Sequence, residues 1–297
     1  MNIISIGEIL FDLYPTKKKL GGAPLNYIYH INKLTNSGII ISRVGKDELG
    51  KKVFEELKKH SINTNFIQLD NYYPTGVANV TLDKNGVPSF EIDEQRAFDF
   101  IENLSELQNL INYETDCFYF GTLAQRSEKS RNTIQSFFRK KGIKYFLDLN
   151  LRNHFYDEDT IIKSLETADV LKVNYYELKE LNELITQINF NSEKVAFDLM
   201  ERFNISLIAV TRGKDGATLF ENGKRFDYVN PSVKILDSTG AGDAFSTILS
   251  LGYMLGIETF RINKLANDFA LEICLIEGAL PKDDFIYEKF RNELGLY

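Results

Sequence analysis

Short runs of β-branched and aromatic residues alternate along the chain with longer stretches whose apolar positions recur every three or four residues. The short runs lie at 3–6, 39–44, 117–120, 145–149, 170–173 and 207–211. Helical spacing falls between most of them, at 48–59, 129–141 and 192–203. Strands alternating with helices predict an α/β fold, a mostly parallel sheet covered on both faces, with ligands at the carboxyl ends of its strands. One region breaks the rhythm. Residues 66–99 read as short strands at 66–69, 77–82 and 89–92, the last two joined by a hairpin turn at Asp83-Lys84-Asn85-Gly86. Together with residues 9–19 they predict a small β lid on a single domain spanning 1–297, although a surface hairpin without a role would read the same way.

Composition narrows the function classes. The chain has 297 residues, 43% apolar and 26% charged, as in ordinary globular proteins. A net charge of −7 argues against a general nucleic-acid binder, but it leaves room for a local anion site. Lys17-Lys18-Lys19 reads as a solvated turn. Cys117 and Cys274 are far apart, so two free thiols in a reducing cytoplasm are expected rather than a disulfide framework or zinc ribbon. The N-terminus lacks a basic start, and Glu8 and Asp12 interrupt its apolar run, so no signal peptide is expected. No run of eighteen apolar residues predicts a membrane span. A cytoplasmic enzyme is the expectation.

The strongest chemical pattern is Asp237-Ser238-Thr239-Gly240-Ala241-Gly242-Asp243-Ala244-Phe245. Apolar positions continue at helical spacing through Ile248, Leu249 and Leu255, so Gly240, Ala241 and Gly242 should open a helix. The first amides of a helix lack internal acceptors, glycines permit close approach, and the dipole favours an anion there. Asp243 in the first turn adds a base beside that anion hole, which suits phosphoryl transfer to a hydroxyl. Read alone, Asp243 is first a helix-start acid, which the dipole stabilises anyway.

Four other clusters have both a chemical and a plain reading. Gly21, Gly22 and Asn26, in Leu20-Gly21-Gly22-Ala23-Pro24-Leu25-Asn26, make a tight strand-to-helix turn that would also suit sugar hydroxyls. Asp12, after the first strand, either accepts bonds from vicinal hydroxyls or is a solvated loop acid. Asp47 reads as a turn and helix cap. Arg152, in Asp148-Leu149-Asn150-Leu151-Arg152, would meet a phosphate or form a surface ion pair. Asn174 and Glu177 share a helical face and would support Mg²⁺ through its waters, or simply cap a helix. Thr211-Arg212-Gly213-Lys214-Asp215-Gly216 is a glycine turn before a strand. No P-loop, protein-kinase set or His-Glu-x-x-His is present, and His30, His60 and His154 form no triad.

The string from Asp237 to Asp243 resembles the second signature of the ribokinase-like carbohydrate kinases, also called the phosphofructokinase-B family, with Ser238 where Thr is usual. Gly21-Gly22-Ala23-Pro24 with Asn26 resembles the family's first signature, particularly in its fructokinase branch. The resemblance covers the chain from Gly7 to about Gly278. It implies a ribokinase-like fold with a β lid and ATP-dependent phosphorylation of a sugar, with Mg²⁺ on the triphosphate. Asp243 would be the base and Gly240, Ala241 and Gly242 the anion hole. Asp12, Gly21, Gly22, Asn26 and Arg152 would hold the substrate, although Leu149 stands where relatives of the Arg152 segment have proline. Asn174, Thr211, Gly213, Gly216 and Asn267 would hold ATP, and Glu177 would hold Mg²⁺ through water. Asp237 and Thr239 stand at the monovalent-cation (K⁺) site of some members. The segments Gly121-Thr122-Leu123 and Arg96-Ala97-Phe98-Asp99 resemble fructokinases, which puts Arg96 near the sugar and makes fructose the expected substrate. 2-Keto-3-deoxygluconate, ribose and a non-catalytic sugar or nucleotide sensor are the alternatives. The lid's strand edges suit a homodimer.

Overall fold

The computed structural model describes residues 1–82, 88–113, 115–152, 155–281 and 284–296. The hairpin turn expected at Asp83–Gly86 and the histidine His154 lie outside the described residues. The chain runs through strands β1 (Ile3–Ile6), β2 (Leu10–Leu13), β3 (Lys18–Gly21), β4 (Gly38–Gly45), β5 (Ile67–Asp70), β6 (Gly76–Leu82), β7 (Pro88–Ile92), β8 (Cys117–Phe120), β9 (Lys144–Asp148), β10 (Val170–Asn174), β11 (Leu207–Thr211), β12 (Ala217–Glu221) and β13 (Lys224–Tyr228). The helices are α1 (Ala23–Thr35), α2 (Glu48–Lys59), α3 (Ser105–Tyr113), α4 (Glu128–Gln135), α5 (Glu158–Leu165), α6 (Tyr175–Leu181), α7 (Ser192–Phe203), α8 (Ala241–Met254), α9 (Thr259–Cys274) and α10 (Phe285–Leu294).

The large sheet has the order β13-β12-β11-β10-β9-β8-β1-β4-β5, parallel from β5 to β11 and antiparallel at β12 and β13. Its central strands, such as β8 and β11, are apolar at nearly every position because both faces are covered, whereas the edge strand β13 is largely exposed. Ile3, Tyr119, Phe146, Val170 and Leu207 pack toward α1, α2, α8, α9 and α10. Their strand neighbours Ile4, Phe118, Leu147, Leu171 and Ile208 pack toward α3, α4, α5, α6 and α7. This period of two across parallel strands gives two cores, one per face. Among the described residues no helix is long and apolar enough to cross a membrane, and Cys117 and Cys274 are both free thiols.

The lid is a second sheet, order β3-β2-β6-β7. Its make-up corrects the sequence reading in two places. Residues 66–69 do not join it: β5 pairs parallel to β4, from Ser42 opposite Ile67 to Gly45 opposite Asp70. With α2 between them, β4 and β5 form a crossover unit whose second strand returns beside the first. Residues 9–19 supply an antiparallel hairpin, β2 with β3, rather than one strand. A third correction is that α4 stops at Gln135 instead of reaching 141. Arg139 at φ +58° and Gly142 at φ +87° leave the helical region there.

Two polar joints root the lid in the large domain. Asp47 caps α2 by accepting from Gly50 N at 2.7 Å, as expected, and also accepts from Thr75 N and Thr75 Oγ, both at 2.8 Å, at the foot of β6. Asp99 takes a buried two-point bond from Arg126, Nε at 2.7 Å and Nη2 at 2.8 Å, and the guanidinium lies against the rings of Phe98 and Phe155. Loss of a helix cap costs about 0.5–2 kcal/mol, and here two more bonds go with it. Asp47→Ala should therefore destabilise the fold by roughly 1–3 kcal/mol in urea unfolding. A loss no larger than that of an exposed surface substitution would show that the lid root does not depend on this carboxylate.

Candidate active site

Helix α8 begins at the carboxyl edge of the sheet, with Gly240 as its N-cap at φ +77°. That left-handed conformation suits glycine, and a Cβ there would come within 2.3 Å of the Ala279 Cβ. Ala241 N bonds back to Ser238 O at 3.3 Å, whereas the amides of Gly240, Gly242 and Asp243 have no acceptor among the described residues. The helix is almost wholly buried from Ala244 to Gly252, so these amides and the positive end of its dipole are held rigidly at one place.

Four sequence-predicted residues meet in front of it. Asn26, on the first turn of α1, donates Nδ2 to Asp243 Oδ2 at 2.8 Å. The buried Asn26 Oδ1 has no partner, which leaves an acceptor for a hydroxyl donor. Gly22 lets α1 start close to β1: it has φ +112°, and a Cβ would lie 2.4 Å from Glu8 O. Gly21 passes beside Asp12, whose Oδ2 would be 3.3 Å from an added Cβ. The Asp12 carboxyl is pushed up to about 6, mainly by burial, against the pull of Arg152 and Lys19. Asp243 is pushed up to about 7, by burial first and then by the Asp148 charge, while Asn26, Lys172 and Arg152 hold it down. Exposed Arg152 also lowers Glu8 and Glu177, so its guanidinium stands within Coulombic reach of the whole cluster. It makes no ion pair among the described residues.

Behind Asp243 lies a buried charge network that the sequence reading missed. Lys172 Nζ bonds Asp148 Oδ1 at 3.0 Å and sits 3.2 Å from where a Gly242 Cβ would be. Asp148 Oδ2 also accepts from Tyr119 OH at 3.1 Å and Ser246 Oγ at 2.8 Å. A lysine inside the apolar run 170–173 was the available signal. Glu8 was also missed. It is 4% exposed and pushed up to about 7, chiefly by burial, with the Asp243 charge adding to it. Asn174 and Glu177 form a reciprocal cap on α6: Asn174 Oδ1 accepts from Tyr176 N and Glu177 N, and Glu177 Oε2 accepts from Asn174 N at 2.8 Å. Glu177 Oε1 accepts from Leu151 N at 3.1 Å. Both carboxylate oxygens already accept a backbone amide. Each keeps a lone pair for a metal-bound water.

A second group flanks α8. Thr211 ends β11, with Oγ bonded to Val173 O at 3.3 Å, and Gly213 and Gly216 turn the chain at φ +57° and +87°. A Cβ on Gly213 would meet open space, while one on Gly216 would lie 2.1 Å from Tyr228 O. From this turn toward α8 runs an exposed apolar strip, Val229, Val233, Ile235 and Leu236, which the sequence reading did not single out. Asn267 is 4% exposed and donates Nδ2 to Asn263 O and Oδ1, both at 2.8 Å. Thr239 bonds Asp237 Oδ1 through N at 3.0 Å and Oγ at 2.7 Å. Arg96 is not brought to the Asp243 cluster: it pairs with Asp93 and lines a groove with Gln125, Arg126 and Phe155. Lys19 is no solvated turn residue either, since it lies in β3 with its ammonium 3.1 Å from Asp237 Oδ2.

The profile of the pfkB family of carbohydrate kinases matches residues 3–279. A sugar kinase of Pyrococcus horikoshii, itself uncharacterized, is 30% identical over 98% of this chain and 97% of its own. Its complex with ATP superposes with a TM-score of 0.82 over 98% of this chain and 99% of that one. Fructokinase-2 of Oryza sativa is 29% identical over 82% of this chain and 77% of its own. A Vibrio cholerae fructokinase with fructose, ADP and a potassium ion bound has the same fold, with a TM-score of 0.81 at 22% identity over 97% and 98% of the two chains.

The Asn26 bond stabilises the charged form of Asp243, so its removal should move that carboxyl upward. Carbon-13 NMR titration of Asp243 in the ligand-free protein should give a midpoint near 7, and Asn26→Ala should raise it. A midpoint in the ordinary carboxylate range, or no response to Asn26→Ala, would show that the carboxyl is solvated and not held as described.

Proposed function

The chain belongs to the pfkB family of carbohydrate kinases, and from that premise we propose that it transfers the γ-phosphate of ATP to the primary hydroxyl of fructose, giving fructose 6-phosphate. The observation that carries the reading is the placement of Asp243 at the mouth of the unpaired α8 amides, with Oδ2 fixed by Asn26. Oδ1 is left for a sugar hydroxyl. A carboxyl whose pKa lies near 7 is suited to accept a proton and return it at neutral pH. As that hydroxyl attacks, its proton passes to Asp243, and the amides of Gly240, Gly242 and Asp243 meet charge on the transferring group. Ala241 is the weaker donor of the predicted trio because it already bonds Ser238. Asp12 and the free Asn26 Oδ1 would take other sugar hydroxyls, with Gly21 and Gly22 giving them room.

The nucleotide would lie across the Thr211–Gly216 turn, its base on the exposed strip from Val229 to Leu236. An apolar strip left bare next to an anion hole suits a flat heterocycle. Asn267 would serve there only through the oxygen it does not share with Asn263. Mg²⁺ neutralises triphosphate charge when bound, and Asn174 and Glu177 would orient its waters. The free guanidinium of Arg152 favours a second reading, a sugar acid such as 2-keto-3-deoxygluconate. Against it, the lid cation Arg96 is already neutralised by Asp93. Dimerisation through the lid remains our reading of its outer strands, β3 and β7, and a monomer in light scattering at micromolar concentration would remove it.

Asp243→Asn should lower kcat by at least about 10²-fold while ATP affinity is kept, because base catalysis typically contributes about 10²–10⁴-fold. Near-wild-type turnover would overturn the role of Asp243. ADP release across fructose, 2-keto-3-deoxygluconate, ribose, tagatose and adenosine tests the substrate: selective turnover of fructose supports it, and selective turnover of another compound replaces it. In the active enzyme kcat/KM for the sugar should fall as pH drops through about 7, since the base must be unprotonated.

A further inference from the structure

Asp237 is the knot that joins the segment before α8 to the segment after α9. Leu236 N and Asp237 N both bond Cys274 O, at 2.8 and 3.2 Å. The carboxylate then closes the joint. Oδ1 takes Thr239 N and Oγ, and Oδ2 takes Gly278 N at 3.0 Å and Lys19 Nζ at 3.1 Å. One residue beyond Gly278, Ala279 is the wall against which Gly240 turns. Burial alone would raise the Asp237 carboxyl, but the bonds from Thr239, Lys19 and Gly278 outweigh it and bring the group down to about 2.

The ammonium of Lys19 is itself enclosed. Glu277 lies 3.8 Å away, and the Tyr14 ring faces the ammonium at 5.4 Å from the ring centre. Lys17 pairs with Glu277 as well, so two carboxylates are balanced by two ammonium groups. A K⁺ bound through the Asp237 carboxylate would have to share oxygens that already take Lys19, Thr239 and Gly278, and it would stand beside a fixed positive charge. The residues present do not fit a monovalent metal ion at this point.

We infer that the Lys19 ammonium is a built-in monovalent cation. It neutralises Asp237 beside the anion hole and holds the 236–240 segment against the 274–279 segment, so the protein needs no K⁺ there. Lys19 is thus a positioning residue that acts through Asp237 on the helix start. It stands opposite Asp12 in the β2–β3 ladder, so the same residue ties the lid to the phosphate side. The inference rests on the reading that the α8 amides receive the nucleotide phosphates.

The test uses the full chain in KCl or in choline chloride at equal ionic strength, read by thermal unfolding without nucleotide and by calorimetric ATP affinity with Mg²⁺. Wild type should show the same Tm, and an ATP Kd constant within about twofold, in either salt. Lys19→Met should bind ATP about tenfold more weakly in choline and recover in KCl, with K⁺ raising its Tm. Lys19→Arg, which keeps the charge, should stay indifferent to K⁺ and guards against a Met variant that folds poorly. Stabilisation of wild type by K⁺ would overturn the inference, because a separate cation site would then exist. Wild-type ATP affinity of Lys19→Met in choline would overturn it too, as would a loss that K⁺ does not recover. If wild type bound no ATP, the nucleotide reading would fail, and K⁺ stabilisation confined to Lys19→Met would still support the ammonium's role.

Discussion

Several carboxylates converge on the carboxyl edge of the large sheet, and the buried ammonium of Lys172 is what makes their company tolerable. Asp148, Glu177 and Asp243 all act on it or are acted on by it. Burial alone would drive Lys172 toward neutrality, yet the acids around it keep its pKa raised. Removing one member of such a buried set leaves an uncompensated charge, worth about 3–5 kcal/mol. The geometry around Lys172 therefore admits little adjustment. Its Nζ lies 3.2 Å from where a Cβ on Gly242 would be, so a side chain at that position would press on the ammonium that Asp148 holds. The start of α8 is fixed from below by this charge and from the side by Ala279 against Gly240.

The lid is joined to that edge through polar contacts as well as apolar ones, since Leu10, Phe11, Ala78 and Ile92 pack into the two cores. Asp47 to Thr75, Asp99 to Arg126 and Lys19 to Asp237 each link a lid root to a loop of the large domain. Directional bonds of this kind define an angle of approach while leaving the sheets free to differ in packing. Charge placed at the joints also links Asp12 to the start of α8, because Asp12 and Lys19 are cross-strand partners and Lys19 bonds Asp237.

How far this was legible in the sequence follows from which interactions are local. The strands 3–6, 117–120 and 207–211 and the helices 48–59 and 192–203 stand where periodicity puts them, since a strand covered on both faces must be apolar throughout. The helix start at Gly240 and the cap at Asp47 were legible because each is written within a few residues. What escaped is non-local. Residues 66–69 look like lid strands until the crossover through α2 is counted. Lys19 finds a partner more than two hundred residues on. Glu8 looked like an ordinary polar residue because nothing nearby in sequence reveals its burial, and Lys172 showed only as a lysine inside an apolar run.

The charge arrangement also bears on what kind of catalysis this site can perform. A carboxyl with a pKa near 7 is a far weaker base than an alkoxide, so it cannot ionise a sugar hydroxyl in advance. In a loose transition state little charge develops on the attacking oxygen until transfer is well under way. On the proposed reading Asp243 would act late, accepting the proton that the hydroxyl sheds as its bond to phosphorus forms. The heavier task would fall to groups already held in place: the α8 amides that lack an acceptor among the described residues and the ammonium beneath them. Fixed dipoles of this kind require no reorganisation during the reaction, and a helix buried from Ala244 to Gly252 keeps them fixed. The buried charge network and the rigid helix thus serve one end, a preorganised positive field beside a base whose own strength is modest.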